Sequence, residues 1–267
     1  MFSTRKRGLD SFSLDEDFAG RQVIGSRAEQ QDAYAFSTLD GKYPLLLVLA
    51  DGMGGHNGGC AAANAAVQGF VNGFHINQRQ GDESSDIQDS LKRSLSTANE
   101  AVDTLIRSDE ETLLEAGTTL LAVACSRVSI CWISVGDSPL FLWRKNSLTR
   151  LNEDHSMRAV LAQKVADCEM APKDIETHPE RNVLLSALNG MEPEKVDAPQ
   201  KLFPAEPGDV FLAASDGILS LTEPQIESVL KKNSKKTAAQ ITRVLLEKVV
   251  DQKVPKQDNA TIAIIKI

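Results

Sequence analysis

The sequence predicts an α+β sandwich rather than a doubly wound sheet. Apolar segments with a period of two come in blocks joined by short connections, as antiparallel pairing allows, instead of alternating one by one with helices. Helix-period segments fall into two groups, one early and one near the C-terminus. The 267 residues are 42% hydrophobic and 25% charged, which is enough apolar material for one sizeable domain.

Residues 1–19 are polar and unpatterned and read as a flexible N-terminal arm, leaving 20–267 as the domain. Val23–Ser26 and Tyr34–Leu39 read as short strands. Leu45–Ala50 (LLLVLA) is a continuous apolar run between Pro44 and Asp51-Gly52, as expected of a strand buried on both faces. Small residues from Gly58 onward open a helix reaching about Gly73, and 81–85 is a polar break. From Asp86 to Ser108 apolar residues recur three and four apart, predicting an amphipathic helix.

After Thr118 the period changes to two. Thr118–Cys125, Val128–Val135, Leu140–Trp143 and Leu148–Leu151 read as successive strands parted by turn residues. Residues 156–181 open with a helical stretch, Met157–Val165, and read as an insertion between strands. Val183–Leu188, Asp197–Phe203 and Val210–Ala214 are expected strands. Helices over Glu223–Lys231 and Lys236–Val250 and a strand over Ala260–Ile265 close the chain.

The net charge of −8 disfavours nucleic acid as a partner. Cys60, Cys125, Cys131 and Cys168 contain no C-x-x-C pair, which argues against structural zinc and fits a reducing compartment. The basic start lacks the apolar core of a signal peptide, and the apolar runs are too short to span a bilayer. A cytoplasmic location without membrane contact is expected.

Three apolar strands stop at an aspartate flanked by glycine: Leu45–Ala50 at Asp51, Ile133–Val135 at Asp137, and Val210–Ala214 at Asp216. A fourth aspartate, Asp258, precedes the terminal strand. Each alone reads as turn punctuation. If the strand ends converge, however, ionised carboxylates crowd together and need a compensating charge. Bound divalent cations are the simplest answer, and all-oxygen ligands select Mg²⁺, Mn²⁺ or Ca²⁺. Two such ions side by side suit metal-assisted hydrolysis of a phosphate ester.

Seven segments then stand in a recognisable order: Arg27-Ala28-Glu29-Gln30-Gln31-Asp32, Ala50-Asp51-Gly52-Met53-Gly54-Gly55-His56, Gly117-Thr118-Thr119, Gly136-Asp137-Ser138, Asp154-His155-Ser156, Ser215-Asp216-Gly217 and Asp258-Asn259. With these motifs the chain resembles the bacterial branch of the PPM (type 2C) metal-dependent protein serine/threonine phosphatases. The resemblance covers roughly residues 20–267. It implies a four-layer α-β-β-α sandwich of two packed antiparallel sheets, and hydrolysis of phosphoserine and phosphothreonine by metal-activated water at a binuclear Mn²⁺ or Mg²⁺ centre. Asp51 would bridge two ions, with the Gly52 carbonyl on one and Asp216 and Asp258 on the other. Asp137 with Asp216 matches the place of a third, weaker ion. Asp32 would orient metal-bound water, and Arg27 would grip the substrate phosphate. Residues 156–190 fall where relatives carry a flap that influences substrate choice.

The expected partners are phosphorylated proteins, a cognate serine/threonine kinase among them, and the expected state is a monomer. The sequence departs from the family pattern at Met53, Gln31, Pro139, Ser220 and Asn189, none of them a core ligand. His155 is expected to anchor the junction into the flap, and the hydroxyls of Thr118 and Thr119 to satisfy backbone groups beside the site. The alternative reading is a pseudophosphatase that binds phosphoproteins without turning them over.

Overall fold

The computed structural model describes residues 12–39, 42–54, 58–80, 87–108, 113 and 115–267. The first half runs β1 (Phe18–Val23), β2 (Asp32–Leu39), β3 (Lys42–Met53), α1 (Gly58–Gln80), α2 (Ile87–Ile106), β4 (Gly117–Thr118), β5 (Leu120–Cys125) and β6 (Ser129–Val135). It continues through β7 (Leu140–Arg144), β8 (Ser147–Arg150), α3 (Met157–Ala166), α4 (Pro172–Thr177), β9 (Phe203–Pro204) and β10 (Val210–Ala214). A 3₁₀ turn (Asp216–Ser220), α5 (Glu223–Asn233), α6 (Ala238–Asp251) and β11 (Ala260–Lys266) follow.

Two antiparallel sheets result, one in the order β1-β11-β10-β7-β8 and the other β2-β3-β5-β6-β9, with β4 paired to β3. Three apolar layers show how they stack. Leu46, Val48, Ala50, Leu120 and Ala122 pack with Phe70 and Phe74 of α1 and Leu91 and Ala98 of α2. Leu45, Leu47, Leu121, Val123, Phe211 and Ala263 fill the space between the sheets. Leu212, Ala214, Ile262 and Ile264 pack with Ile226 and Leu230 of α5 and Ile241 and Leu245 of α6. Successive residues of one strand thus serve two different cores, because side chains alternate with a period of two. Both faces of each sheet are covered, so these antiparallel strands read as unbroken apolar runs. The α-β-β-α sandwich expected from the sequence is the observed fold.

Several boundaries differ from the sequence reading, each for a local reason. The first strand is Phe18–Val23, not Val23–Ser26. It pairs along β11 from Phe18↔Ile265 to Val23↔Ala260, so it overlaps the end of the expected arm. Residues 15 and 16 also accept hydrogen bonds from the amides of Ala239 and Ala238; residues 1–11 lie outside the described set, as does the polar break at 81–85. Helix α1 runs past Gly73, which is no terminator: a Cβ there would meet Thr97 of α2 at 3.0 Å, so the glycine serves helix contact. Helix α6 starts after Thr237 rather than at Lys236, because the Thr237 hydroxyl accepts the Gln240 amide (3.3 Å) and the Gln240 side chain returns the bond (3.2 Å).

Two expected strands are not ladders. Val183–Leu188 pairs only at Leu184 with Ser156 and at Leu188 with Thr118, changing partner midway. Asp197–Phe203 touches β6 at Ser134 and then at Ile130, and the residues between include Pro199, which has no amide to donate.

The topology also fixes where the strand ends meet. β3 and β6 are each antiparallel to β5, so both finish at the same edge of their sheet. β2 starts at that edge, with Asp32 directly opposite Asp51. In the other sheet, β10 ends where β11 begins, with Ala214 opposite Ile262.

Candidate metal centre

That edge carries a cleft of about 450 Å³ lined by Arg27, Asp51, Gly52, Asp137, Asp216 and Asp258, among others. The fold therefore brings together the aspartates read from the sequence. Asp51 and Asp137 come from one sheet; Asp216 and Asp258 come from the other. A larger cleft of about 540 Å³ between β1 and α6 contains no such set.

Asp51 sits deepest. Burial, followed by the charges of Asp216, Asp32, Asp137 and Asp258, pushes its carboxyl well above the usual carboxylate range. Burial and then the charges of Asp137, Asp258 and Asp32 raise Asp216 to about 7. Asp137 rises to about 6, through burial first and Asp154 second, with Arg150 opposing. Carboxylates held this close lack enough cationic partners of their own, and an oxygen-only set of this kind fits hard divalent ions. Among the described residues, no three carboxylate, imidazole or thiol side chains form a ready-made shell around one point. Asp258 is instead in close contact with the Arg27 guanidinium, while its Oδ1 accepts the Asn259 amide (2.8 Å). The shared lining of the cleft establishes proximity, and this pairing shows why proximity does not yet amount to a closed shell.

The backbone around Asp51 is tightly held. Its amide donates to Thr119 Oγ1 (2.9 Å), and its carbonyl accepts from Thr118 Oγ1 (3.0 Å) and the Thr119 amide (2.9 Å). The two threonines thus satisfy backbone groups as the sequence suggested. Gly52 admits no side chain, since a Cβ would meet the Gly59 carbonyl oxygen at 2.0 Å at the start of α1. His56 lies outside the described residues.

Asp32 is 4% exposed, and its Oδ2 accepts two hydroxyl bonds of 2.7 Å, from Ser215 and Thr261. The Thr261 amide donates to Ser215 Oγ (2.9 Å), which directs the Ser215 proton toward Asp32. Oδ1 is buried without a hydrogen-bond partner. Burial raises the Asp32 pKa, and the Thr261 and Ser215 hydroxyls oppose the rise.

Three positioning residues went unread in the sequence. Ser215 and Thr261 are the first two. The third is Asn259, whose side chain accepts the Gln31 amide (2.8 Å) and donates to the carbonyls of Ile24 (2.8 Å) and Glu29 (3.0 Å), clamping the loop that carries Arg27. Ser215 and Asn259 were visible only as motif neighbours of aspartates. Beside the site, His155 is buried and ties the start of the insertion to Gly136: its amide donates to the Gly136 carbonyl (3.1 Å), and its Nδ1 accepts the Gly136 amide (3.3 Å). Arg150 donates to the Asp137 carbonyl (2.8 Å) and to Asp154 (3.0 Å).

A four-layer sandwich whose two sheets deliver carboxylates to one cleft defines a class of metal-assisted phosphate hydrolases. Within that class, the chain belongs to the protein phosphatase 2C family, whose profile matches residues 19–257. The serine/threonine phosphatase stp of Listeria welshimeri is 29% identical over 222 residues, spanning 83% of this chain and 84% of its own. The serine/threonine phosphatase of S. agalactiae superposes with a TM-score of 0.78 at 26% identity, covering 94% of this chain and 99% of that one. The catalytic domain of the serine/threonine protein phosphatase PstP, solved in complex with 2 manganese ions, shares the fold at 24% identity and a TM-score of 0.72, covering 93% of this chain and 96% of its own.

Proposed function

We propose that this metal-dependent serine/threonine phosphatase hydrolyses phosphoserine and phosphothreonine monoesters in the carboxylate cleft. The observation that carries this reading is the set of four aspartates, Asp51, Asp137, Asp216 and Asp258, that two sheets deliver to one cleft of a protein phosphatase 2C fold. Asp51, the Gly52 carbonyl, Asp216 and Asp258 would hold two ions, Mn²⁺ or Mg²⁺, and Asp137 with Asp216 a third, weaker one. Bound there, the ions supply Lewis acidity at the phosphoryl oxygens and a water nucleophile active at neutral pH.

The chain's own groups do the rest. Arg27 offers a planar fork of N–H donors to the substrate phosphate. To do so it leaves Asp258, which frees that carboxylate as a ligand. Asp32 has one oxygen fixed by Ser215 and Thr261, so its other oxygen is the one presented to a water proton. Thr118 and Thr119 keep the Asp51 backbone from shifting as charge changes in the cleft. Residues 156–190 form the flap over the cleft.

The substrates we assign are phosphorylated proteins, a cognate kinase among them. We place the enzyme in the cytoplasm as a monomer. None of the four cysteines is in a disulfide, which suits a reducing compartment. Among the described residues, no helix is long and apolar enough to cross a membrane.

The test is hydrolysis of p-nitrophenyl phosphate and a phosphothreonine peptide with Mn²⁺, with Mg²⁺ and with chelator. Turnover that requires metal and is lost in Asp51→Asn is expected. Folded protein that binds the peptide but turns over nothing in any metal would establish the pseudophosphatase reading instead.

A further inference from the structure

We propose that the cleft continues, beyond Asp137 and Asp216, into a second anion subsite that accepts a phosphate or carboxylate carried by the substrate beside its phosphorylated residue. The inference rests on the phosphatase reading and names the class of phosphopeptide that the site prefers.

A recess of about 260 Å³ shares Asp137, Asn182, Asp216 and Asp258 with the metal cleft, so a chain bound across the metals enters it directly. Arg158, Arg181 and Lys256 also line it. They come from three separate segments: the first turn of α3, the loop after α4 and the loop before β11. Three cations thus line one recess of a chain whose net charge is −8. The first turn of α3 contains no acidic residue and carries Arg158 instead, the reverse of the charge that a helix start favours. Lys256 is held at a φ of 60°, a region that side-chain-bearing residues seldom adopt. Among the described residues, Arg181 has its Nε buried without an acceptor, and its Nη1 donates to the His178 carbonyl at 3.4 Å.

The recess also contains carboxylates, but these have other partners. Asp154 is used up locally: Oδ1 accepts the Ser156 amide (3.0 Å) and hydroxyl (2.6 Å), and Oδ2 accepts Arg150 (3.0 Å). Asp258 pairs with Arg27. Asp137 and Asp216 line both the recess and the metal cleft as proposed ligands, and the charge of Arg158 reaches Asp137.

The opposite end of the cleft is different in kind. Met53, Val183 and Leu184 lead from the metal centre into a recess of about 470 Å³ that includes Met191, Glu192 and Glu194 and no cationic side chain. An anion is therefore favoured on one side of the phosphorylated residue and disfavoured on the other.

The experiment compares phosphothreonine peptides that carry a neutral residue, a glutamate or a non-hydrolysable phosphonate at each of the positions flanking the phosphothreonine. The wild-type enzyme with Mn²⁺ is measured beside the double variant Lys256→Asn, Arg158→Gln. Asparagine tolerates the left-handed backbone, and glutamine suits a helix, so both replacements keep the fold while removing charge. p-Nitrophenyl phosphate, too small to reach the recess, reports on the metal centre alone.

The expected result is a kcat/KM on the order of tenfold higher for an anion on one side only, larger for phosphonate than for carboxylate. In the double variant that preference collapses while p-nitrophenyl phosphate turnover is kept. Equal rates for all peptides, a gain that is the same on both sides, or a preference that survives in the double variant would overturn the subsite and leave the phosphatase standing. Absence of p-nitrophenyl phosphate turnover in the wild-type protein would overturn the phosphatase reading and this one with it.

Discussion

The strand ends that carry the aspartates and the segment 178–202 that crosses above them border the same cleft, yet they are held in place by different means. The strand ends are extensions of ladders whose residues are almost wholly buried: Leu45–Ala50 and Leu120–Val123 are each at most 1% exposed. Segment 178–202 leaves Val183, Met191 and Val196 exposed and is pinned by single bridges at Leu184, Leu188 and Asp197. Ladders position the chemistry, and isolated bridges position what surrounds it. A site divided this way can alter its substrate-facing wall without moving its ligands.

The largest expected effect lies at the strand ends. Asp51→Asn or Asp216→Asn should lower kcat by about 10³-fold or more, since the metal contribution amounts to several kcal/mol, whereas Val196→Ser in the crossing segment should leave it nearly unchanged. Steady-state rates in saturating Mn²⁺ decide this, and equal losses would erase the distinction between the regions.

One step out from the ligands, Thr261→Val removes one of the two hydroxyls on Asp32. Turnover should fall about 10–100-fold, as for other groups that orient site residues, and Thr261→Ser should restore most of it. Equal activity in the valine and serine variants would show that the hydroxyl does not position Asp32.

Stability should separate the regions as well. Leu47→Ala, in the layer between the sheets, should cost about 3 kcal/mol by denaturant titration, while Val196→Ser should stay within about 0.5 kcal/mol.

The crowded carboxylates also make a pH prediction for protein stripped of divalent ions. Asp216, raised to about 7, and Asp137, raised to about 6, bind protons more tightly folded than unfolded, where the reference is 3.8. Their contribution to stability is therefore fully present below about pH 4 and is lost as pH climbs through 6 and 7. Chelated protein should melt at a lower temperature at pH 8 than at pH 5.5, and Asp216→Asn should flatten that difference. Melting curves across pH, with and without chelator, measure it.

The smallest effect concerns the thiols. Burial pushes Cys125 up to about 12, so at pH 8 it should resist alkylation in the native state, while exposed Cys168 reacts at once. Mass spectrometry after brief labelling distinguishes them.

The same contrast explains what could be read from the residues alone. Leu45–Ala50 and Val210–Ala214 declared themselves because burial on both faces leaves a continuous apolar run with a defined stop, and the stops were the aspartates. The ends of α1 and α6 were less legible: Gly73 serves helix contact, and Thr237 caps by a hydroxyl, neither of which hydrophobic periodicity records. Val183–Leu188 looked like a strand because its composition suits one; composition does not reveal that no continuous partner edge exists there. Ser215, Thr261 and Asn259 escaped because their roles depend on hydrogen bonds across 183, 229 and 228 residues of chain.

Those separations have a consequence for assembly. Asp51 and Asp137 belong to one sheet, and Asp216 and Asp258 to the other, so the ions would join the two halves of the sandwich as a rivet joins two plates. No fragment ending before Asp258 would contain the full proposed ligand set, and a nascent chain would have to close both sheets before it could retain metals. Ion uptake would thereby be tied to completed tertiary structure, and a truncated chain would hold neither the ions nor the activity that depends on them.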